Sequence, residues 1–413
     1  MTLLEIHLLQ SFVPELLNRD DTGSHKNCLF GGQLRARVSS QSWKRAMRDY
    51  VRTLELLPAE QRAVRSKRLH EALRNRLEEM GAEEADYVAE AALAYIGAFH
   101  IEKSVSDDET DPYTRRELKS EYLVFLGNDS LDAVADLLKV NWEDAKRAGK
   151  EVRKFREQLR KSEKYKGGLG DKGKETLKKA VDKALGKELL SEIEKAFDGS
   201  KAIDLALFGR MLADLPGKNV DGACQVAHAL STHAVAREYD YYTAVDDLKP
   251  DDTSGADMIG TIEFSSACYY RYAAIDLEKL RDTLGDTELV KAGLEAFLRA
   301  FVEAIPSGKQ NSFAAQNPPS FGAFRVQDQA QPRNLANAFE RPVRQDGSGF
   351  VFPSIRELDR EWAWVDGAYG ESGRVIYWLR FDEAAQHLKA KEKVAGTREA
   401  IRRAVEEAAK LLG

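Results

Sequence analysis

Residues 18–48 read NRDDTGSHKNCLFGGQLRARVSSQSWKRAMR. From Thr22 to Arg48 this stretch carries six cations, Lys26, Arg35, Arg37, Lys44, Arg45 and Arg48, with no Asp or Glu among them. The whole chain, in contrast, has a formal net charge of −6. An acidic protein that keeps one uninterrupted basic segment has commonly placed it where an anion binds. The local pattern gives the segment a shape. Gly31-Gly32 ends a loop, residues 33–38 alternate as a strand, and Ser39 or Ser40 can cap a helix that runs from Gln41 to about Leu57, where Pro58 stops it. Lys44 and Arg48 are four apart and share a helix face with Arg45 beside them, one turn above the free N–H groups. Phosphate suits that combination of amides, positive dipole end and cationic side chains. A solvated basic helix beside an ordinary strand–helix turn accounts for the same residues.

Outward from this turn the chain alternates between two textures. Residues 2–10 form a strand around Leu4, Ile6 and Leu8. Residues 60–99 read as two helices, the first turning Val64, Leu69, Leu73 and Leu77 inward and ending at Gly81. A polar acidic loop at 106–112 follows, then helix from 129 to 197, interrupted by the glycine-rich break at 167–173. Residues 146–183 hold fifteen basic residues against six acidic ones. Either they form a solvated arm laced with ion pairs, or a basic finger touching nucleic acid. From residue 202 strands are expected: Ile203, Leu205 and Leu207 alternate, 220–235 is a long apolar run, and 258–274 is rich in β-formers. Residues 236–257 are a polar, turn-rich excursion. Residues 289–304 form an amphipathic helix and 307–344 a proline-containing loop. A strand at 374–381 and a helix at 397–412 close the chain. These elements make an α+β protein with a helical insertion.

At 413 residues, 43% of them hydrophobic, the chain can bury a large core. Three cysteines, Cys28, Cys224 and Cys268, lie far apart without a C-x-x-C, which points to a reducing compartment and away from disulfides or a thiolate zinc site. No stretch has the length and apolarity of a membrane span, so a cytoplasmic protein is expected. Catalytic motifs are missing: no HExxH, P-loop or GxSxG occurs. His228 and His233, five apart, would fall on opposite faces of a strand and form no metal pair. Asp246-Asp247 and Asp251-Asp252 read as solvated loop carboxylates. His25 is the one plausible general acid/base, and alone it makes a weak case. The expectation is a protein without catalytic residues, metal or cofactor.

Several ordered blocks carry a family resemblance: NRDD, FGG and RVSSQSWKRAMR in the basic stretch, then ALFGRM (206–211), VDGACQVAHALSTH (220–233), YTAVDDL (242–248), GTIEFSSACYYRYAAI (260–275), AAQNP (314–318) and NLANAFE (334–340). The sequence resembles the CasC family, the backbone subunit of the type I-E CRISPR surveillance complex, Cascade. The resemblance implies an RRM-like (ferredoxin-like) palm from 1–58, 200–235 and 258–413, a helical fingers insertion at 59–199, and a protruding thumb at 236–257. It implies a subunit that polymerises along CRISPR RNA and presents the guide to target DNA, among identical neighbours and the other Cascade subunits. By the same resemblance Arg19, Lys26, Ser39, Ser40, Gln41, Lys44, Arg45 and Arg48 line the RNA backbone, with Lys309 near it. Met211, Tyr242 and Thr243 bracket a kinked nucleotide. Without the resemblance, Met211 reads as an ordinary core methionine. Trp43 is expected in the core, facing away from Lys44. A stand-alone RRM-like RNA endonuclease using His25 is the alternative, and a scaffold without RNA would have to explain the acid-free turn.

Overall fold

The computed structural model describes residues 1–93, 99–101, 118–120, 123–161, 179–180, 182–197, 202–211, 219–244, 258–370 and 372–413. The acidic loop 106–112, the glycine-rich break 167–173, most of the arm's second half and the tip of the excursion, 245–257, lie outside them. The chain divides into two compact units, Met1–Leu57 with Ala223–Gly413, and Pro58–Gly222.

The first unit is built on strand β1, Leu3–Glu15, which is paired along both edges. Its strands are β2 (Asn27–Phe30), β3 (Gln33–Val38), β8 (Cys224–Val226), β9 (Ala229–Ser231), β10 (Glu238–Ala244), β11 (Met258–Asp276), β12 (Phe321–Gln327), β13 (Arg374–Leu379) and β14 (Glu392–Lys393). They run in the order β14-β13-β12-β1-β11-β9-β3-β2, with β8 and β10 also paired to β11. All pairs are antiparallel except β13 with β14. Leu3 faces Asp276 on one side and Gln327 on the other, so the N-terminal strand lies between two strands from the later part of the sequence.

Alternation along β11 sorts the core into two layers. Tyr270, Tyr272 and Ala274 pack with Ile355, Leu358 and Trp362 of the helix Val351–Tyr369. On the opposite face, Tyr269 and Ala267 join Phe12, Val38 and Trp43. Trp43 belongs to helix α1, Ser40–Thr53, which packs against the helix Thr287–Glu303. Strand β12 is buried at every position, although the sequence around it reads as loop. A strand covered on both faces shows no alternation, and the flanking prolines obscured it.

The second unit is mostly helical. It contains helices Leu69–Glu79, Ala85–Leu93, Asn128–Val140, Trp142–Lys161, Lys187–Ala196 and Ile203–Phe208. Two short antiparallel ribbons accompany them, β4 (Ala63–Ser66) with β7 (Val124–Gly127), and β5 (Phe99–Ile101) with β6 (Leu118–Ser120). Leu69, Leu73 and Leu77 line its core with Val88, Leu131, Val134 and Ile193. Further expectations need correction here and in the sheet, among them the end of the helical reading at residue 99, which lies on β5. Val64 sits on β4, not on a helix. Residues 203–207 are helical: Ile203, Leu205, Ala206 and Leu207 are all buried, so their apolar run serves a covered helix as well as a strand. The run 220–235 is broken into β8 and β9, with His228 between them, because Ala227 and Thr232 donate backbone bonds to Tyr272 and Cys268 of β11 outside the regular ladder. No helix among the described residues is long and apolar enough to cross a membrane.

The β2–β3 hairpin turns at Gly31 and Gly32, with φ of 56° and 73°. Both left-handed angles belong to a two-residue hairpin turn. A Cβ at Gly31 would lie 1.7 Å from the carbonyl oxygen of Glu340, whereas one at Gly32 meets nothing. Either alanine costs about 1–2 kcal/mol for its left-handed backbone. Gly31→Ala must in addition displace the chain at Glu340, and its urea midpoint should fall clearly further than that of Gly32→Ala. Equal falls would show that the turn is not pressed against Glu340.

Candidate nucleic-acid interface

The basic stretch folds as a loop, a hairpin and a helix start that hold one another. Asn18 is the staple: its side-chain oxygen accepts from the Ser39 N–H at 2.9 Å, and its carbonyl accepts from the Lys26 N–H at 3.0 Å. Arg19 and His25 form an isolated antiparallel bridge that closes the loop. Asp20 organises the tip by accepting from the Thr22 hydroxyl and from the amides of Thr22 and Ser24 at 2.7, 3.0 and 2.9 Å. Those hydrogen bonds, the Thr22 hydroxyl first, hold its carboxyl below the usual range.

Ser39 occupies the cap position of α1 in an extended conformation, but its side chain makes no capping bond. Its carbonyl accepts from Ser42 and Trp43. The amides of Ser40 and Gln41 have no hydrogen-bond partner among the described residues, and Gln41 is exposed. The helix start therefore keeps donors for an anion, at the positive end of its dipole. On the outer side of α1, Arg45 is exposed and pairs with Asp49 at 3.6 Å, while Lys44 and Arg48 are half-buried. Between α1 and residues 304–308 runs a groove of about 400 Å³ lined by Ser42, Arg45, Asp49, Tyr50, Ser307 and Gly308. Lys309 directly follows Gly308, which lies on the backbone of Leu16 and Leu17, where an added Cβ would meet their carbonyl oxygens at 2.6 and 2.4 Å.

Not every cation of the stretch faces outward. Arg35 is fully buried and donates to the carbonyls of Ser231, Phe339 and Glu340 at 3.0, 2.7 and 3.2 Å. It ties the hairpin to the sheet. Arg37 donates to Asn27 and reaches His228 Nδ1 at 3.1 Å. The charge run thus counts one cation that serves packing alone.

The inner side of α1 fixes its orientation. Trp43 lies under the guanidinium of Arg271, 3.6 Å from ring centroid to carbon. Arg271 donates to Gln10 Oε1 and to the Phe301 carbonyl, both at 2.6 Å. Sequence reasoning placed Trp43 in the core but missed Arg271, whose flanking tyrosines mark a buried strand.

Tyr242 and Thr243 lie on β10, which pairs only with the outer half of β11. Tyr242 is half-buried because its ring covers its cross-strand partner Gly260, where a Cβ would come within 2.4 Å. Thr243 is exposed, as are Tyr239 and Tyr241 at 60% and 63% and Ile259 at 61%. These four share one face of the ribbon with Thr261. At its base Phe264 contacts Phe313, in the turn that follows Lys309. Met211 belongs to the Pro58–Gly222 unit. It is not a core methionine there: 82% of it is exposed, just beyond the bridge between Arg210 and Val220. Among the described residues no three or more His, Cys, Asp or Glu are grouped to hold a metal.

The two faces of α1 predict different costs. Trp43→Ala removes a fully buried ring and should lower stability by about 3–5 kcal/mol in urea unfolding. Arg45→Ala, two residues on, should change it by less than about 0.5 kcal/mol. Comparable losses would contradict this assignment of faces.

Comparison with known proteins bears on what such a surface serves. The chain is similar to a chain of a CRISPR RNA-guided surveillance complex, pre-nicking, at 27% identity and a TM-score of 0.76, covering 98% of this chain and 100% of that one. A second solved chain, from a CRISPR RNA-guided surveillance complex, shares the fold at 24% identity and a TM-score of 0.67, covering 98% and 99%. No curated protein matches. The model of the CT1975-like protein family matches residues 4–407. The chain belongs to that family, and with it to the CasC-type backbone subunits of CRISPR surveillance complexes.

Proposed function

We propose that this protein is a CRISPR RNA-binding backbone subunit of a type I-E Cascade, acting in antiviral defence in the cytoplasm. It would bind its RNA without cleaving it. The observation that carries this reading is convergence on one unit of the fold. Unpartnered amides at the start of α1, the cations Lys44, Arg45 and Arg48, the stapled loop with Arg19 and Lys26, and Lys309 all come from segments joined by the contacts of Asn18 and Gly308. Such a surface grips a phosphate backbone without reading bases. Sequence specificity then comes from pairing between guide and target DNA, the logic of RNA-guided recognition.

In this reading the sheet unit is an RRM-like palm, residues 59–199 are fingers, and the β10–β11 ribbon begins a thumb that lies on the next identical subunit. The exposed face of Tyr239, Tyr241 and Ile259 supports that role, since a contiguous apolar face on a projecting ribbon calls for a partner. Head-to-tail contact of this kind produces a helical filament unless other Cascade subunits cap it. Met211, Tyr242 and Thr243 would bracket a kinked nucleotide. The endonuclease alternative needs an accessible imidazole, and His25 is 3% exposed with both ring nitrogens occupied.

Replacing Lys44, Arg45 and Arg48 together by Ala should weaken binding to single-stranded RNA. It should also flatten the slope of log K against log salt by about 2, at roughly 0.7 per lost phosphate contact. Unchanged affinity and slope would remove the basis of the proposal. Replacing residues 238–257 by a short Gly-Ser linker should leave a folded protein that still binds RNA weakly but sediments as free subunits in its presence. Cooperative assembly by that variant would place the polymerisation surface elsewhere.

A further inference from the structure

Beneath the basic loop lies a buried polar cluster that takes no part in the proposed RNA-binding surface. Glu15, at the end of β1, is completely buried. Its Oε1 accepts from the Tyr269 hydroxyl at 2.6 Å and faces His25 Nε2 at 2.8 Å, and its Oε2 accepts from the Leu17 N–H at 2.6 Å. The other nitrogen of the ring, His25 Nδ1, lies 2.8 Å from the Lys26 carbonyl. A carbonyl only accepts, so Nδ1 carries a proton. Nε2 faces a carboxylate oxygen that already takes a hydroxyl proton from Tyr269. A carboxylate oxygen, like the carbonyl, only accepts, so Nε2 carries a proton as well and the ring is an imidazolium beside a carboxylate. The His25–Glu15 pair thus holds one proton more than separate neutral imidazole and carboxylate would.

The pair also sits where the loop is closed. His25 bridges Arg19, and Lys26 donates to Asn18 while its carbonyl accepts from Arg37 as well as from His25. We infer that His25 is a positioning residue: the proton shared with Glu15 clamps the 18–26 loop in the shape that presents Arg19 and Lys26 to RNA, and binding weakens as that proton is lost. The inference rests on the RNA-binding role proposed above.

The surroundings set the direction. The charged and titratable groups facing the ring are Glu15 from β1, Tyr269 and Glu263 from β11, and Lys26 beside it. Arg237 lies 3.6 Å from Glu263. Burial pulls the imidazole down, but the hydrogen bond and charge of Glu15, the Lys26 carbonyl and Glu263 outweigh it, and its pKa rises above the usual 6.5. A pKa raised on folding contributes stability fully present below the unfolded value and lost as pH rises through the folded value. The clamp is therefore closed below pH 6.5 and opens at some higher pH.

The test is fluorescence anisotropy of a labelled single-stranded RNA bound by the full chain, from about pH 6 to about pH 9, where Lys and Arg keep their charge. Wild-type affinity should be level at the acid end and then fall about tenfold in a one-proton step, the scale of one charge-assisted contact. His25→Gln and the double variant Arg19→Ala/Lys26→Ala should bind at the weaker level with a flat profile. Nitrogen-15 spectra of the wild-type imidazole at about pH 6 should show both nitrogens protonated. If His25→Gln does not fold, Glu15→Gln replaces it, and its affinity step should move to lower pH. Binding that is present but identical in pH profile for wild type and variants, or a ring with one bare nitrogen at about pH 6, overturns the clamp and leaves the RNA-binding role standing. Absence of RNA binding at every pH overturns both.

Discussion

A buried cation without a carboxylate holds the sheet unit together. Arg271 lies on the central strand β11, is 2% exposed, and its side-chain partners among the described residues are Gln10, Phe301 and Trp43, none of them acidic. Burial pushes its guanidinium down to about 9. Stabilisation comes instead from two short hydrogen bonds and two aromatic faces, Trp43 at 3.6 Å and Phe301 at 4.7 Å. Desolvated cation–π contacts contribute on the order of 2 kcal/mol each. These contacts come from β1, α1 and the helix Thr287–Glu303. One side chain therefore sets the position of α1 on the sheet, and with it the direction in which Lys44, Arg45 and Arg48 point.

Strand β11 joins that core to the ribbon. Its C-terminal half is buried between β1 and the strands β8 and β9, while residues 258–264 at its start pair with β10 alone. An isolated two-stranded ribbon is marginal in water. Here it is continuous with a 19-residue strand anchored in the sheet, and Tyr242 fills the space above Gly260. The anchoring lets the ribbon expose aromatic and aliphatic side chains without needing a core of its own.

The charges of residues 18–48 divide by environment. Arg35 donates to three carbonyls inside the fold, and Glu15 with His25 forms an internal pair, so these ionic groups stabilise a defined backbone path. Lys44, Arg45 and Arg48 lie away from the Trp43 face of α1, Arg45 exposed and the other two half-buried. An exposed charge such as Arg45 contributes little to folding. The buried set determines where these three stand.

The sequence alone marked Gly31-Gly32 as the end of a loop, the start of α1, the buried face of Trp43 and the final helix at residues 397–412. Each is signalled by neighbours a few residues apart, through turn chemistry or helical period. It also carried enough ordered motif to identify the family. It did not disclose β12, whose burial on both faces removes alternation, nor the helix Ile203–Phe208, whose apolar residues suit either a covered helix or a strand. It counted Arg35 as one cation of a basic segment and His25 as an isolated imidazole. Only tertiary structure could correct those two readings. The carbonyls that accept from Arg35 come from residues 231, 339 and 340, and the groups around His25 include Tyr269. A charge run records which side chains are cationic, but whether a cation meets solvent or carbonyls depends on distant segments that the fold brings beside it.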